Sequence, residues 1–290
     1  MQYALEIRDA VKRYERFTLD HVTLRVPRGT IMGLIGENGA GKTTLIRLLL
    51  GMARPDAGEF SLLDAQGEAA LSAAKARVGV VLDEGFFPEH FTAAQVARCC
   101  RALYPGWDGE AFGRWLTRFS LPARQKLRAL SRGMKTKLSL AVALSHGAEL
   151  LVLDEATSGL DPVVRAEVLD IFQDYMQDER HAILFSTHIT TDLARVADEI
   201  TFLHRGQVVL QQSKDEILSR YGVLKCSREA FAALSREEVA GAREGAFGCE
   251  ALVRDRASYL RRHPDAVIDP ATLDDVMLFT IKGIQRRAAQ

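Results

Sequence analysis

Short apolar runs alternate along the chain with stretches in which apolar residues recur every three to four positions. That alternation predicts an α/β core with a largely parallel sheet. The strand candidates are 3–8, 19–26, 30–35, 77–82, 150–153, 182–186, 200–204 and 207–210. The first two and the last two lie close enough in sequence to form hairpins, so the core is expected to mix parallel and antiparallel pairing. Between the strands ending near Leu82 and starting near Leu150 lie more than sixty residues with helical periodicity, broken at Tyr104-Pro105-Gly106 and at Leu121-Pro122. Such a block reads as a helical subdomain, about 86–147, inserted in a first domain of residues 1–213. Residues 214–290 then form a small α+β extension. It holds a short apolar piece at 222–226 and a helix at 271–281, for which Asp269-Pro270 supplies the start and Gly283 the stop.

The bulk properties narrow the function classes. A chain of 290 residues with 38 basic and 38 acidic side chains has zero formal net charge, and so exerts no global pull on nucleic acid or an anionic membrane. The four cysteines, Cys99, Cys100, Cys226 and Cys249, have neither zinc-site spacing nor that of a small disulfide scaffold. They read as reduced core or surface residues. The first nine residues lack the basic head and apolar stretch of a signal peptide, and no apolar run approaches the roughly 20 residues of a membrane span. The expectation is a soluble, cytoplasmic chain.

Two segments carry chemistry. The strand at 30–35 runs directly into Gly36-Glu37-Asn38-Gly39-Ala40-Gly41-Lys42-Thr43-Thr44 and then into a helical run. This is the strand, loop, helix context of a phosphate-binding loop, in which glycines let successive backbone N–H groups turn inward and the helix presents its positive end. Lys42 is placed to reach the β and γ phosphates, Thr43 to offer a hydroxyl to Mg²⁺, and Thr44 to bind the α phosphate. The second segment is Leu150-Leu151-Val152-Leu153-Asp154-Glu155, a buried-strand pattern ending in two carboxylates. Asp154 there suits a metal-bound water, and Glu155 suits polarisation of an attacking water. Two acids after a strand also cap helices.

The continuation Asp154-Glu155-Ala156-Thr157-Ser158-Gly159-Leu160-Asp161-Pro162 resembles the Walker B and D-loop segment of ABC ATPases. Upstream, Leu130-Ser131-Arg132-Gly133-Met134 resembles the signature segment of that family, departing from Leu-Ser-Gly-Gly-Gln at Arg132 and Met134. The resemblance spans residues 4–212 and implies a P-loop NTPase core of the ABC ATPase type that binds ATP and Mg²⁺. It further implies that Ser131 and Gly133 contact the γ phosphate held by an opposite subunit, that His188 orients the water, and that Tyr14 stacks on adenine. Where the family carries its Q-loop glutamine this chain has Asp83, which reads either as a metal-sensing oxygen ligand or as a turn cap. Arg132 is open between a solvated and a functional side chain. Phe86 and Phe87 are open between docking anchors and core aromatics.

The variants at Asp83 and in the signature segment resemble bacterial exporter ATPases that work with a separate membrane protein. The partners so implied are a second ATPase subunit, in a homodimer or heterodimer, and a transmembrane permease, with no nucleic acid. The place implied is peripheral, on the inner face of the cell membrane. A soluble ABC ATPase acting on DNA or ribosomes is the competing expectation. Such proteins commonly carry long coiled-coil insertions, zinc-binding cysteines or two tandem sites, and none of these signals is legible here.

Overall fold

The computed structural model describes residues 3–82, 87–235, 237–245 and 248–288, and the chain divides into two compact units, Met1–Leu210 and Gln211–Gln290. In the first unit the chain runs through β1 (Tyr3–Tyr14), β2 (Phe17–Pro27), β3 (Ile31–Ile35), α1 (Lys42–Leu49), β4 (Ala57–Leu62), β5 (Ala65–Gln66), α2 (Glu68–Ala74) and β6 (Val78–Val81). Next come α3 (Ala93–Leu103), α4 (Gly109–Arg118), α5 (Arg132–Ala143), β7 (Leu150–Asp154), α6 (Pro162–Tyr175), β8 (Ala182–Ser186), α7 (Thr190–Val196), β9 (Glu199–His204) and β10 (Gln207–Ser213).

A six-stranded sheet in the order β10-β9-β3-β8-β7-β6 forms the centre of this unit. The pairs β3 with β8, β3 with β9, β7 with β8 and β6 with β7 are parallel. Every residue of β3, β7 and β8 is buried, which is why these strands read in the sequence as unbroken apolar runs. Arg205 and Gly206, both at positive φ, make the two-residue connection from β9 to β10.

A second sheet, β2-β1-β4-β5, packs its apolar side into the same core, with Leu5, Ile7, Leu19, Val22, Leu24 and Leu62 buried beside Leu45 and Ile46 of α1. Strand β1 extends past the expected 3–8 because irregularities between Ile7 and Lys12 absorb a break in the alternation. Asp9 takes φ 54° there and accepts a 2.7 Å hydrogen bond from His21 Nδ1 on the paired strand, where His21 itself has φ 50°. Strand β4 was not legible: five of its six residues are exposed or only half-buried, so it carries no apolar period.

The inserted block is helical, with Thr92 and an isolated Thr92–Lys126 bridge at its margin. Each of α3, α4 and α5 has a side-chain cap, Thr92 in a reciprocal capping box with Gln95, Asp108 on the N–H groups of Glu110 and Ala111, and Ser131 on that of Met134.

The second unit contains α8 (Lys214–Arg220), β11 (Gly222–Cys226), α9 (Arg228–Ala232), β12 (Val239–Gly245), β13 (Gly248–Val253), α10 (Arg256–Arg262), β14 (Val267–Pro270) and α11 (Leu273–Ala288). Its antiparallel sheet has the order β12-β13-β11-β14, so β11 to β14 with α9 and α10 form a split βαβ arrangement. Two expectations are corrected here. Asp269-Pro270 closes strand β14 and does not open the last helix, whose cap is Thr272: its hydroxyl accepts from Asp275 N at 3.1 Å while Asp275 Oδ2 accepts from Thr272 N at 3.0 Å. Gly283 does not stop that helix. It lies inside it because the helix crosses β12 so closely that a Cβ on Gly283 would stand 1.9 Å from the Ala240 carbonyl oxygen.

Candidate functional site

Strand β3 delivers the chain at Ile35 into a tight loop, and α1 begins at Lys42. The loop needs glycine where it passes the ends of neighbouring strands. A Cβ on Gly36 would sit 2.3 Å from Leu203 O, and Gly41 takes φ 110° with Phe17 Cζ only 2.7 Å from where its Cβ would be. The α1 start has no side-chain cap, so the N–H groups of its first turn are left to whatever the loop encloses. Within the loop Ala40 is buried, whereas Glu37, Asn38 and Gly39 are exposed, and Thr44, the third residue of the helix, is half-buried.

Lys42 is 6% exposed, and its Nζ donates to Gly36 O at 2.7 Å and to Glu37 O at 3.3 Å, tying the two ends of the loop together. Burial holds its ammonium below the ordinary lysine range, against the opposing pull of Glu155 and Asp154. The chain's own carboxylates are thus aimed at this cation, with Glu155 Oε1 at 4.0 Å.

Asp154 ends β7 and is 3% exposed. Both of its oxygens are engaged: Oδ2 accepts from Thr43 Oγ1 at 2.7 Å and Oδ1 from Ser186 Oγ at 2.8 Å. Ser186 pairs with Asp154 in the parallel register of β7 and β8, and it is a site residue that sequence reading missed. The signal was present in Phe185-Ser186-Thr187-His188, but nothing in a linear sequence says which residue of one strand stands beside which of another.

Glu155 follows at φ 55°, a left-handed conformation uncommon outside glycine. Its N–H donates to Ser186 O at 2.8 Å, which fixes the turn. This bend swings the carboxylate to His188, whose Nδ1 lies 2.8 Å from Glu155 Oε2, while the other oxygen faces Lys42. His188 is half-exposed and Glu155 mostly enclosed, so the pair stands at the mouth of the site. A strained backbone that over-determines a carboxylate is typical of functional positions.

Tyr14 ends β1, is 48% exposed, and has Lys12 Nζ 5.6 Å from its ring centroid. It pairs with Phe17, the residue whose ring abuts Gly41, so the hairpin tip lies beside the phosphate loop. Gly133 and Arg132, in the first turn of α5, meet the segment after Glu155. Ser131 caps α5, a Cβ on Gly133 would be 3.3 Å from Leu160, and the Arg132 guanidinium lies over Gly159, with Nη1 3.1 Å from the place of a Cβ there. Asp83 and Phe86 lie outside the described residues; Phe87 is half-buried.

A daunorubicin resistance ATP-binding protein of Streptomyces coeruleorubidus is 34% identical over 225 residues, covering 76% of this chain and 71% of that protein. The chain belongs to the ABC transporter family. Its family profile matches residues 19–158, from within β2 through the paired carboxylates. The Nod factor export ATP-binding protein I of Bradyrhizobium diazoefficiens is 31% identical over 289 residues, covering 91% of each chain. A solved structure of an ATP binding subunit of an ABC transporter superposes with a TM-score of 0.67 at 26% identity, covering 81% of this chain and 97% of that one. The chain is therefore an ATP-binding subunit of this family, and the fold is the P-loop ABC ATPase fold with its helical insertion. Among the described residues no helix is long and apolar enough to cross a membrane.

Proposed function

We propose that the chain hydrolyses ATP to ADP and phosphate and thereby drives a bacterial ABC exporter. The observation that carries this reading is the double constellation at the ends of β3, β7 and β8: Thr43–Asp154–Ser186 and Lys42–Glu155–His188.

The residues present fit Mg²⁺ and a nucleotide phosphate. Thr43 Oγ1 and Asp154 Oδ2 are paired hard oxygens, and the loop is built where any side chain on Gly36 would clash. Mg²⁺, when bound, supplies neutralisation of phosphate charge. Thr43 and Asp154 would hold it, with Asp83 as a further candidate ligand outside the described residues. The backbone of Gly36, Glu37, Asn38, Gly39, Ala40 and Gly41 with Lys42, Thr43 and Thr44 cradles the phosphates, and Tyr14 stacks on the base.

Glu155 accepts the proton of the attacking water, and His188 holds that carboxylate and the water in line. Lys42 offsets the charge that develops on the phosphoryl oxygens. Gly133 stands beside Leu160 and Ser131 is exposed at the start of the same helix, and we assign both to the γ phosphate of a second ATPase subunit. Two such subunits, identical or not, close head to tail around two ATP, and closure is transmitted to a separate transmembrane permease. The chain thus works on the cytoplasmic side, peripheral to the membrane.

Export is favoured because the relatives above are named for drug resistance and for Nod factor export. A role on DNA or ribosomes lacks such support. Purification of the tagged chain from detergent-solubilised membranes of its own host tests the choice. Recovery of a multi-span membrane protein that stimulates ATP hydrolysis is expected; recovery of ribosomes or nucleic acid instead would overturn the transport reading.

A further inference from the structure

Linear spacing gives Cys226 and Cys249 no relation, but the C-terminal unit sets them face to face. Cys226 ends β11 and is the register partner of Cys249, the second residue of β13, with the two strands antiparallel. Opposed residues on antiparallel strands have Cα atoms about 4.5–5.5 Å apart and point to the same side of the sheet. A disulfide spans Cα separations of about 4.4–6.8 Å. Both residues are free thiols here.

The side they share is the one covered by α9 and α10. Cys226 packs against the cluster formed by Leu224, Ala251 and Tyr259, and with Tyr259 and His263 it lines a cavity of about 450 Å³. Cys249 is 2% exposed behind it. The geometry gives one reachable thiol at a cavity wall and a second, enclosed thiol directly across the strand pair. Cys99, which is exposed, is followed in the chain by Cys100, buried and with its thiol pushed up to about 11 by that burial.

We infer that Cys226 and Cys249 form a dithiol site that low-molecular-weight disulfides of the glutathione class convert to an intrachain cross-strand disulfide. The Cys226 thiolate attacks one sulfur of the small disulfide and expels the other as a thiolate, which takes up the proton Cys226 lost. The Cys249 thiolate then attacks the Cys226 sulfur of that mixed disulfide and expels the second small thiolate, which is protonated in turn. Two protein thiols are oxidised, one small disulfide is reduced to two thiols, and the central strands β11 and β13 become covalently joined. Burial, aided by the neighbouring Cys249, raises the Cys226 thiol above its ordinary range, so the first step quickens as the solution is made more alkaline.

The test uses the full chain, incubated with glutathione disulfide, blocked with iodoacetamide and digested with trypsin for mass spectrometry. The expected product is a chain lighter by two hydrogens, in which peptide 226–228 is linked to peptide 244–254, at a yield independent of protein concentration and reversed by dithiothreitol. In the Cys249→Ser variant the same treatment should leave a persistent glutathione adduct on Cys226. Accumulation of that adduct in the unmodified sequence, modification confined to Cys99, or linkage only between chains would each overturn the proposal.

Discussion

Thr43 Oγ1 donates to Asp154 Oδ2 at 2.7 Å and so joins the start of α1 to the end of β7 across 111 positions of sequence. The opposite oxygen of the same carboxylate is held by Ser186 at 2.8 Å. Asp154 is thus clamped from two sides, which is the preorganisation its proposed metal-holding role requires.

Ser186 is therefore, on the proposed function, a positioning residue for the metal site. Ser186→Ala should raise the Mg²⁺ concentration that half-saturates ATP hydrolysis by about tenfold or more, the usual scale for losing an outer-shell partner. It should also cost about 1 kcal/mol of stability through the lost hydrogen bond. A Mg²⁺ titration of activity checks the first effect and thermal unfolding the second. An unchanged titration would mean that Thr43 alone orients Asp154.

The Arg132 guanidinium rests on Gly159, whose φ of 70° and absent side chain leave room for it. One chain thereby links the signature segment to the loop after Glu155. Arg132→Ala should leave ATP affinity of the isolated chain within about twofold while lowering hydrolysis by about tenfold or more, because misplacing the segments that act across a shared site harms the reaction and not the first binding step. Gly159→Ala should act in the same direction. Fluorescent-nucleotide titration together with steady-state hydrolysis separates the two effects, and a proportional loss of binding would contradict this assignment.

Gly283 sits where α11 crosses β12 at backbone contact, with Gly241 opposite it. Gly283→Ala should destabilise the C-terminal unit by roughly 1–3 kcal/mol, the common cost of overpacking. The nucleotide-binding unit should keep its ATP affinity. Hydrogen exchange followed by mass spectrometry would show faster exchange in β12 and β13 and unchanged protection in β3 and β7.

Legibility in the sequence followed contiguity. The phosphate loop and the Asp154-Glu155 pair were readable because each lies on one uninterrupted strand and turn, where residue order equals spatial order. Ser186 and the Cys226–Cys249 pair were not, because strand register is fixed by tertiary pairing. The last helix was misplaced at both ends for local reasons. Thr272 outcompeted Asp269 as a cap once strand β14 had claimed Asp269 and Pro270, and a glycine that reads as a stop was required inside the helix by the close crossing at Ala240. The long β1 was hidden by its irregularities at Asp9, which break the period that marks a strand.

The central claim is that Glu155, bent by its φ of 55° toward His188 and Lys42, is the base of a site completed by a second subunit. Glu155→Gln keeps the shape and removes the charge. Size-exclusion chromatography with light scattering, run with Mg²⁺ and ATP beside a phosphate-release assay, tests both halves of the claim. The account predicts a stable ATP-dependent dimer of the variant, with hydrolysis reduced on the order of 10²-fold or more. A variant that stays monomeric and hydrolyses ATP at the unmodified rate would contradict it.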